Sequence, residues 1–308
     1  MSTEIQTINN QPNFSINPDT KLVSGQGMSR RVFLRLCGLA AGAALLAACG
    51  VKPSGETGEQ GEVQSVTPVI SPELSEALGE NGVASIERAF SSYIGEYGCP
   101  IPTISFNVAD LSGQTTVNPD GSRVIVLEQA GPGYVNYDVE ALTNGKSDSE
   151  ASKAIRDTTI HSLTHACQPE ATQLSNPVVL GDGSQVNALQ GMSLLVTRPD
   201  GTQTGFRAIE EGVCEALAVK LNPDYTVSDF SYFQLGSLTI SIMNTWSSAQ
   251  DVARMAQSND VFGYVGIVRG KSKPTQQDLE QVMTWYQRAR NGEDLQTIQN
   301  EIVQSRGR

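Results

Sequence analysis

Residues 161–168 read HSLTHACQ, and both histidines of the chain, His161 and His165, fall inside this run. It closes a segment, Asp148 to Gln168, that opens on a capping residue, is filled with good helix formers and stops at Pro169. Proline has no N–H to donate and its ring clashes with the preceding turn, so the histidines are expected on the last turns of a helix. Residues four apart on a helix point the same way, which is the geometry a metal ion needs from two imidazoles on one element. Such a pair is incomplete, and at least one more ligand must come from elsewhere in the chain.

The run IEEGVCEALA, residues 209–218, offers it. Glu211 begins a helix by propensity and Glu215 lies one turn further along the same face. In metal sites one carboxylate commonly ligates while another accepts the free N–H of a ligating imidazole and fixes its tautomer. His161, His165 and Glu211 are therefore the candidate metal ligands, with Glu215 as the acceptor behind them. Asp157, one turn before His161, is a second such acceptor or a solvated residue. Cys214 keeps a thiolate at the metal conceivable, and a His/Glu/Cys site closed by four protein ligands would be structural rather than catalytic. The plainer readings of Cys214 are a buried small residue or a Cys167–Cys214 disulfide joining the two helices.

HSLTHA resembles the His-Glu-Leu-Thr-His-Ala helix of thermolysin-like zinc peptidases and differs from it only at Ser162. EEGVCEA resembles the second helix of the gluzincin group, whose Glu ligates zinc and whose acidic residue one turn later orients an imidazole. The resemblance covers these two helices and the order of strands before them, about a quarter of the chain. It implies a zincin-like fold, Zn2+ held by His161, His165 and Glu211, and Glu215 as the imidazole's acceptor.

The departure falls on the chemistry. In those enzymes the Glu after the first His takes a proton from the attacking water and later passes it to the leaving amine. Ser162 has no lone pair basic enough for that near neutral pH. Zinc alone lowers the pKa of its water toward ~7, but the lost proton transfer is worth typically about 10²–10⁴-fold, or roughly 3–5 kcal/mol of barrier. No substitute base stands out. Asp157 points along the helix, Glu210 is expected to face away from Glu211's side, and Glu150 is too far up the helix.

The remaining body suits an α+β fold with a small early sheet and a mostly helical end. SPELSEALGENGVASIERAFSSYIGEYG, from Ser71, predicts a helix split near Gly79 and Gly82. PTISFNVAD and SRVIVLEQ predict paired strands around the Asn118–Gly121 turn. GMSLLVTRPDGTQTGFRAI predicts a hairpin around Pro199–Gly201 that leads directly into the Glu-bearing helix. SLTISIMNTW, AQDVARMAQ and residues 275–303 read as helices. Tyr225, Tyr232 and Tyr264 are candidate oxyanion donors or ordinary core residues.

Upstream, residues 28–50 read MSRRVFLRLCGLAAGAALLAACG. Arg30 and Arg31 before a weakly apolar run too short for a comfortable span resemble a twin-arginine export signal, and Leu46-Ala47-Ala48-Cys49 resembles a bacterial lipobox. Cys49 is then lipidated and becomes the first mature residue. The expected organisation is a polar extension over 1–27, which Met28 as the true start would remove; a signal peptide over 28–48; a Gly/Glu/Ser/Pro-rich tether over 49–70; and a zincin-like domain over 71–308. The chain carries a formal net charge of −12 from 21 basic and 33 acidic residues. Residues 1–48 hold Glu4 and Asp19 against Lys21, Arg30, Arg31 and Arg35, so without them 17 basic residues face 31 acidic ones, a net −14. That balance, with no basic run, argues against nucleic acid as a partner. Cys99, Cys167 and Cys214 remain for the body, enough for one disulfide whose pairing the sequence leaves open.

The expected function is thus an exported, membrane-tethered lipoprotein of the cell envelope whose peptidase-like domain keeps its metal, lacks its general base and acts by binding a peptide or envelope segment, added along an edge strand. Two alternatives stand beside it: a zinc peptidase with a substitute base, and a metal-free structural lipoprotein.

Overall fold

The computed structural model describes residues 28–29, 66–109, 115–117, 123–125, 130–222, 224–227 and 230–306. The segments expected to be an export signal, a lipobox at Cys49 and most of a tether lie outside these residues, apart from a two-residue pairing of Met28–Ser29 with Thr226–Val227. Among the described residues no helix is long and apolar enough to cross a membrane. The architecture is mixed α+β, as expected.

The folded body starts earlier than Ser71. β1 (Thr67–Ile70) runs parallel to β2 (Thr103–Val108), because α1 (Pro72–Tyr97) carries the chain back between them. The β-branched residues of TPVI suit this role, within a stretch expected to be irregular. α1 is capped by Ser71, whose hydroxyl accepts from the Leu74 N–H, and it kinks at Gly79, where φ is 64°. Only glycine takes that conformation at little cost, so the expected split falls there.

β2 also pairs in parallel with β4 (Tyr134–Tyr137), which pairs antiparallel with β3 (Ala130–Gly131), giving the order β1-β2-β4-β3. The expected pairing of β2 with the strand at Arg123–Ile125 is not made. That segment pairs instead with Thr115–Val117 in a local ladder, its nearest antiparallel partner in sequence. Parallel neighbours separated by a whole helix leave no trace in local spacing, and short-range pattern reading misses them.

After α2 (Val139–Thr143) comes the histidine helix α3 (Asp148–Ala166), held at its start by a reciprocal capping box between Ser147 and Glu150. Glu150 is thereby accounted for. A second four-stranded sheet follows, where only one hairpin was expected: β5 (Thr172–Val179), β6 (Gln185–Gln190), β7 (Ser193–Thr197) and β8 (Gln203–Phe206), an antiparallel meander. β5 is largely exposed, breaks register against β6 between Gln173 and Val178, and contains Pro177. These are edge-strand features that hide its pattern.

β8 feeds α4 (Ala208–Leu221), followed by α5 (Phe230–Trp246), α6 (Ala249–Gln257), α7 (Val261–Arg269), α8 (Gln276–Arg290) and α9 (Leu295–Ser305). α4 is the axle of this half. Every residue from Ala208 to Val219 is buried, and the helix packs against α3, α5, α6 and α8. The crossing with α5 is close because glycines face it from both sides. A Cβ on Gly212 would stand 2.9 Å from the Leu235 carbonyl oxygen and 2.8 Å from Thr239 Oγ1, and one on Gly236 would stand 2.9 Å from Glu215 Cβ.

A disulfide joins Cys99, just beyond α1, to Cys167, the residue that closes α3. Cys214 is free and buried, so the Cys167–Cys214 alternative is excluded.

Gly212→Ala gains helix propensity of about 1 kcal/mol but inserts a methyl against backbone and packed side chains, which costs about 1–3 kcal/mol or more. The close backbone contact puts the balance at a net loss of about 2 kcal/mol, to be read as a lowered urea midpoint at unchanged m-value.

Candidate functional site

The site forms where the last turns of α3 meet the first turn of α4. Helix dipoles place partial negative charge at the end of α3 and partial positive charge at the start of α4, so cationic imidazoles suit the first and carboxylates the second. The sequence follows that rule, with His165 in the last turn of α3 and Glu210 and Glu211 in the first turn of α4.

Side chains that sequence reasoning placed together do meet. His161 Nε2 lies 3.5 Å from Glu211 Oε2, and His165 Nε2 lies 3.8 Å from the same oxygen. His161 Nδ1 lies 3.3 Å from Glu215 Oε1, on the side where an acceptor was expected, but without hydrogen-bond geometry. The imidazole centroids are 5.3 Å apart. Glu211 and Glu215 are almost fully buried, and His161, with 20 % of its side chain exposed, is the opening to solvent.

Glu210 departs from expectation. Its Oε1 lies 2.6 Å from His165 Nδ1, a hydrogen bond closer than the 3.3 Å approach of Glu215 to His161. Adjacent helical residues leave the helix in different directions, but two side-chain methylenes and a position in the first turn let Glu210 reach round. The Glu210-Glu211 pair was the available signal. Arg207 also escaped notice: Nε lies 3.9 Å from Glu210 Oε2 and one Nη lies 3.6 Å from Glu211 Oε1. Asp157 is buried and tied to Lys153 and to Asn222, whose Nδ2 donates to it at 2.6 Å. Tyr225 is buried beside Glu215, and burial followed by that carboxylate pushes its pKa up. Tyr264 belongs to a separate buried network with Tyr286 and Thr239.

Neither oxygen of Glu211 makes a hydrogen bond of good geometry, although the residue is only 1 % exposed. A buried carboxylate without hydrogen bonds is costly, and it marks a place where a cation is wanted. Tetrahedral bonds of about 2.0–2.3 Å put neighbouring ligand atoms about 3.3–3.8 Å apart. The 3.5 and 3.8 Å separations between Glu211 Oε2 and the two Nε2 atoms are close to that spacing. His165 Nδ1 is hydrogen-bonded to Glu210 and His161 Nδ1 faces Glu215 at 3.3 Å without hydrogen-bond geometry, so both Nε2 atoms are turned toward Glu211 and the residues present fit a metal ion.

Cys214 belongs to the same cluster. Its Sγ lies 3.4 Å from His165 Nε2, and ligand atoms of His161, His165 and Cys214 all fall within 4.8 Å of one another. This buried group could hold a metal ion. Thiol, imidazole and carboxylate also stand in the order of a Cys-His-Glu nucleophile relay. Two facts oppose that use. Cys214 has no exposed surface, and burial together with Glu211 and Glu210 pushes its thiol pKa well up, whereas a catalytic thiol needs access and a lowered pKa.

Ser162 is buried at 3 % exposure and brings no carboxylate to the group. The carboxylates near the imidazoles are already committed: Glu210 to His165, Glu215 to His161, and Glu211 between the two.

No protein-family model matches this chain, no curated protein matches it, and no solved structure matches it.

In the metal-free protein, burial opposes charge on His161, but Glu211 and Glu215 outweigh it and push its pKa up from 6.5 to about 10. Burial likewise disfavours ionised Glu211, yet His161, His165 and Arg207 hold it down at about 2, against an ordinary 4.5. The raised imidazole stabilises the fold fully below pH 6.5 and loses its effect as pH rises through about 10. The depressed carboxylate stabilises it above pH 4.5 and loses its effect as pH falls toward about 2. Denaturant titrations in chelator are expected to place this pair's largest contribution between pH 4.5 and 6.5, and His161→Gln is expected to flatten the alkaline decline.

Proposed function

We propose that this protein is an exported, lipid-tethered envelope protein whose zincin-like domain binds Zn2+ through His161, His165 and Glu211 and acts by binding, without efficient hydrolysis. The observation that carries the reading is the convergence of both Nε2 atoms on Glu211 Oε2, with Glu210 hydrogen-bonded to His165 Nδ1 and Glu215 3.3 Å from His161 Nδ1. Three side chains on two helices thus face one point, and the hydrogen bond to Glu210 favours the His165 tautomer that leaves Nε2 free to ligate.

A metal held there supplies Lewis acidity. What this chain's residues lack is the proton shuttle. Ser162 cannot take a proton from a water near pH 7, and the surrounding carboxylates are engaged by imidazoles. By the usual worth of general-base catalysis, any residual hydrolysis is slower by roughly 10²–10⁴-fold than that of a site with the base. Export and tethering rest on Arg30-Arg31, the short apolar run and the Leu-Ala-Ala-Cys sequence ending at Cys49. The acidic balance of the chain keeps nucleic acid out of the reading and leaves a peptide or envelope segment as the class of ligand.

Elemental analysis of the dialysed protein is expected to give about one zinc per chain, and His161→Ala is expected to lose it. Absence of metal from a folded wild-type protein would overturn the reading and leave a purely structural lipoprotein.

Ser162→Glu bears on activity. Peptide hydrolysis below detection in wild type and still below detection in a folded, zinc-loaded Ser162→Glu variant is the expected result. Chelator-sensitive hydrolysis by the wild type would establish the enzyme instead.

A further inference from the structure

We propose that Cys214 is the fourth ligand of this metal, a thiolate that closes the site with His161, His165 and Glu211 and makes it a structural centre. The inference rests on the metal reading above and goes beyond it, because a three-ligand His/His/Glu set leaves a tetrahedral position open and the thiolate fills it.

Three observations carry it. Glu211 and Cys214 stand three residues apart on α4 and His161 and His165 four apart on α3, so each helix presents two donors on one face. The Cys214 Sγ to His165 Nε2 separation is 3.4 Å, and zinc bonds of about 2.0 Å to nitrogen and 2.3 Å to sulfur at the tetrahedral angle require about 3.5 Å. Cys214 is the free, fully buried cysteine among the described residues, while Cys99 and Cys167 are joined to each other, so its sulfur is not committed to a disulfide. Independent of the cysteine, both oxygens of the buried Glu211 lack hydrogen-bond partners.

The consequence ties two departures from a hydrolytic site together. A metal with four protein ligands has no position for the attacking water, so a base at residue 162 has nothing to act on. On metal binding the Cys214 sulfur exchanges its S–H bond for a metal–sulfur bond, and the proton leaves to solvent. No oxidant or reductant takes part.

Cobalt(II) added to the metal-free full chain tests this with a spectrum. The expected result is intense visible bands of four-coordinate cobalt together with a near-ultraviolet sulfur-to-cobalt charge-transfer band. In Cys214→Ser the charge-transfer band is lost while cobalt still binds, with affinity reduced by at least about 100-fold, the upper end of what losing even an outer contact costs. Wild-type protein that binds cobalt without the sulfur band overturns the thiolate and leaves the His161/His165/Glu211 site standing. Wild-type protein that binds no cobalt overturns both. The wild-type spectrum decides alone if Cys214→Ser fails to fold.

Discussion

The structure depends on how buried charge is neutralised at the contact of α3 and α4. Glu210, Glu211 and Glu215 are each at most 3 % exposed, on a helix buried all round. Removing an ion from water costs several kcal/mol after relaxation, so a helix carrying three acids into a core must meet positive charge there. Arg207 supplies one unit at separations of 3.6 and 3.9 Å, too long for good hydrogen bonds. Two negative charges remain. Protons on the two imidazoles, or one divalent cation between them, can balance these. The histidines are in this sense a condition for docking the two halves of the body, whatever ion they hold.

Precision at the site comes from what stands behind it. α5 approaches the back of α4 closely enough that Gly236 leaves 2.9 Å for a Cβ against Glu215 Cβ, so the carboxylate beside His161 is wedged from behind. The end of α3, two residues beyond His165, is tied to the end of α1 by the Cys99–Cys167 disulfide. Asn259, held at φ 55° where most residues are strained, donates to the Glu170 carbonyl and Thr172 Oγ1 and accepts from the Gly191 N–H. It thereby secures the strands that connect the two site helices. Ligands mounted on helices with such support are more exactly placed than ligands on loops.

The helices and the donors on them were legible because both write themselves in local spacing: His161/His165 four apart, Glu211/Glu215 four apart, a cap at Ser147 and a stop at Pro169. What was not legible is set by contacts distant in sequence. The parallel pairing of Thr67–Ile70 with Thr103–Val108 spans a 26-residue helix. The partner of Cys167 lies 68 residues away and no local pattern selects it over Cys214. Glu210 was set aside by a rule about helical direction that treats a side chain as a fixed vector, and a Glu in the first turn has room to bend toward an imidazole. Strand β5 was hidden by exposure, a register break and Pro177, the features that protect an edge.

Counting charge also bears on whether a thiolate can join the site. Three carboxylates, one guanidinium and a divalent cation sum to zero with neutral imidazoles, so an ionised Cys214 leaves a single negative charge. Structural zinc sites built from four thiolates carry two by the same count, and proteins hold them stably. One excess charge is therefore within range, at a position where the thiol must give up a proton that burial and its acidic neighbours hold tightly. Apparent zinc affinities of about 10–16 kcal/mol in small zinc-dependent folds are large enough to overcome such a proton and still stabilise the fold. Where such binding free energy would go into holding α3 against α4, a serine at 162 in place of a base would cost the protein nothing.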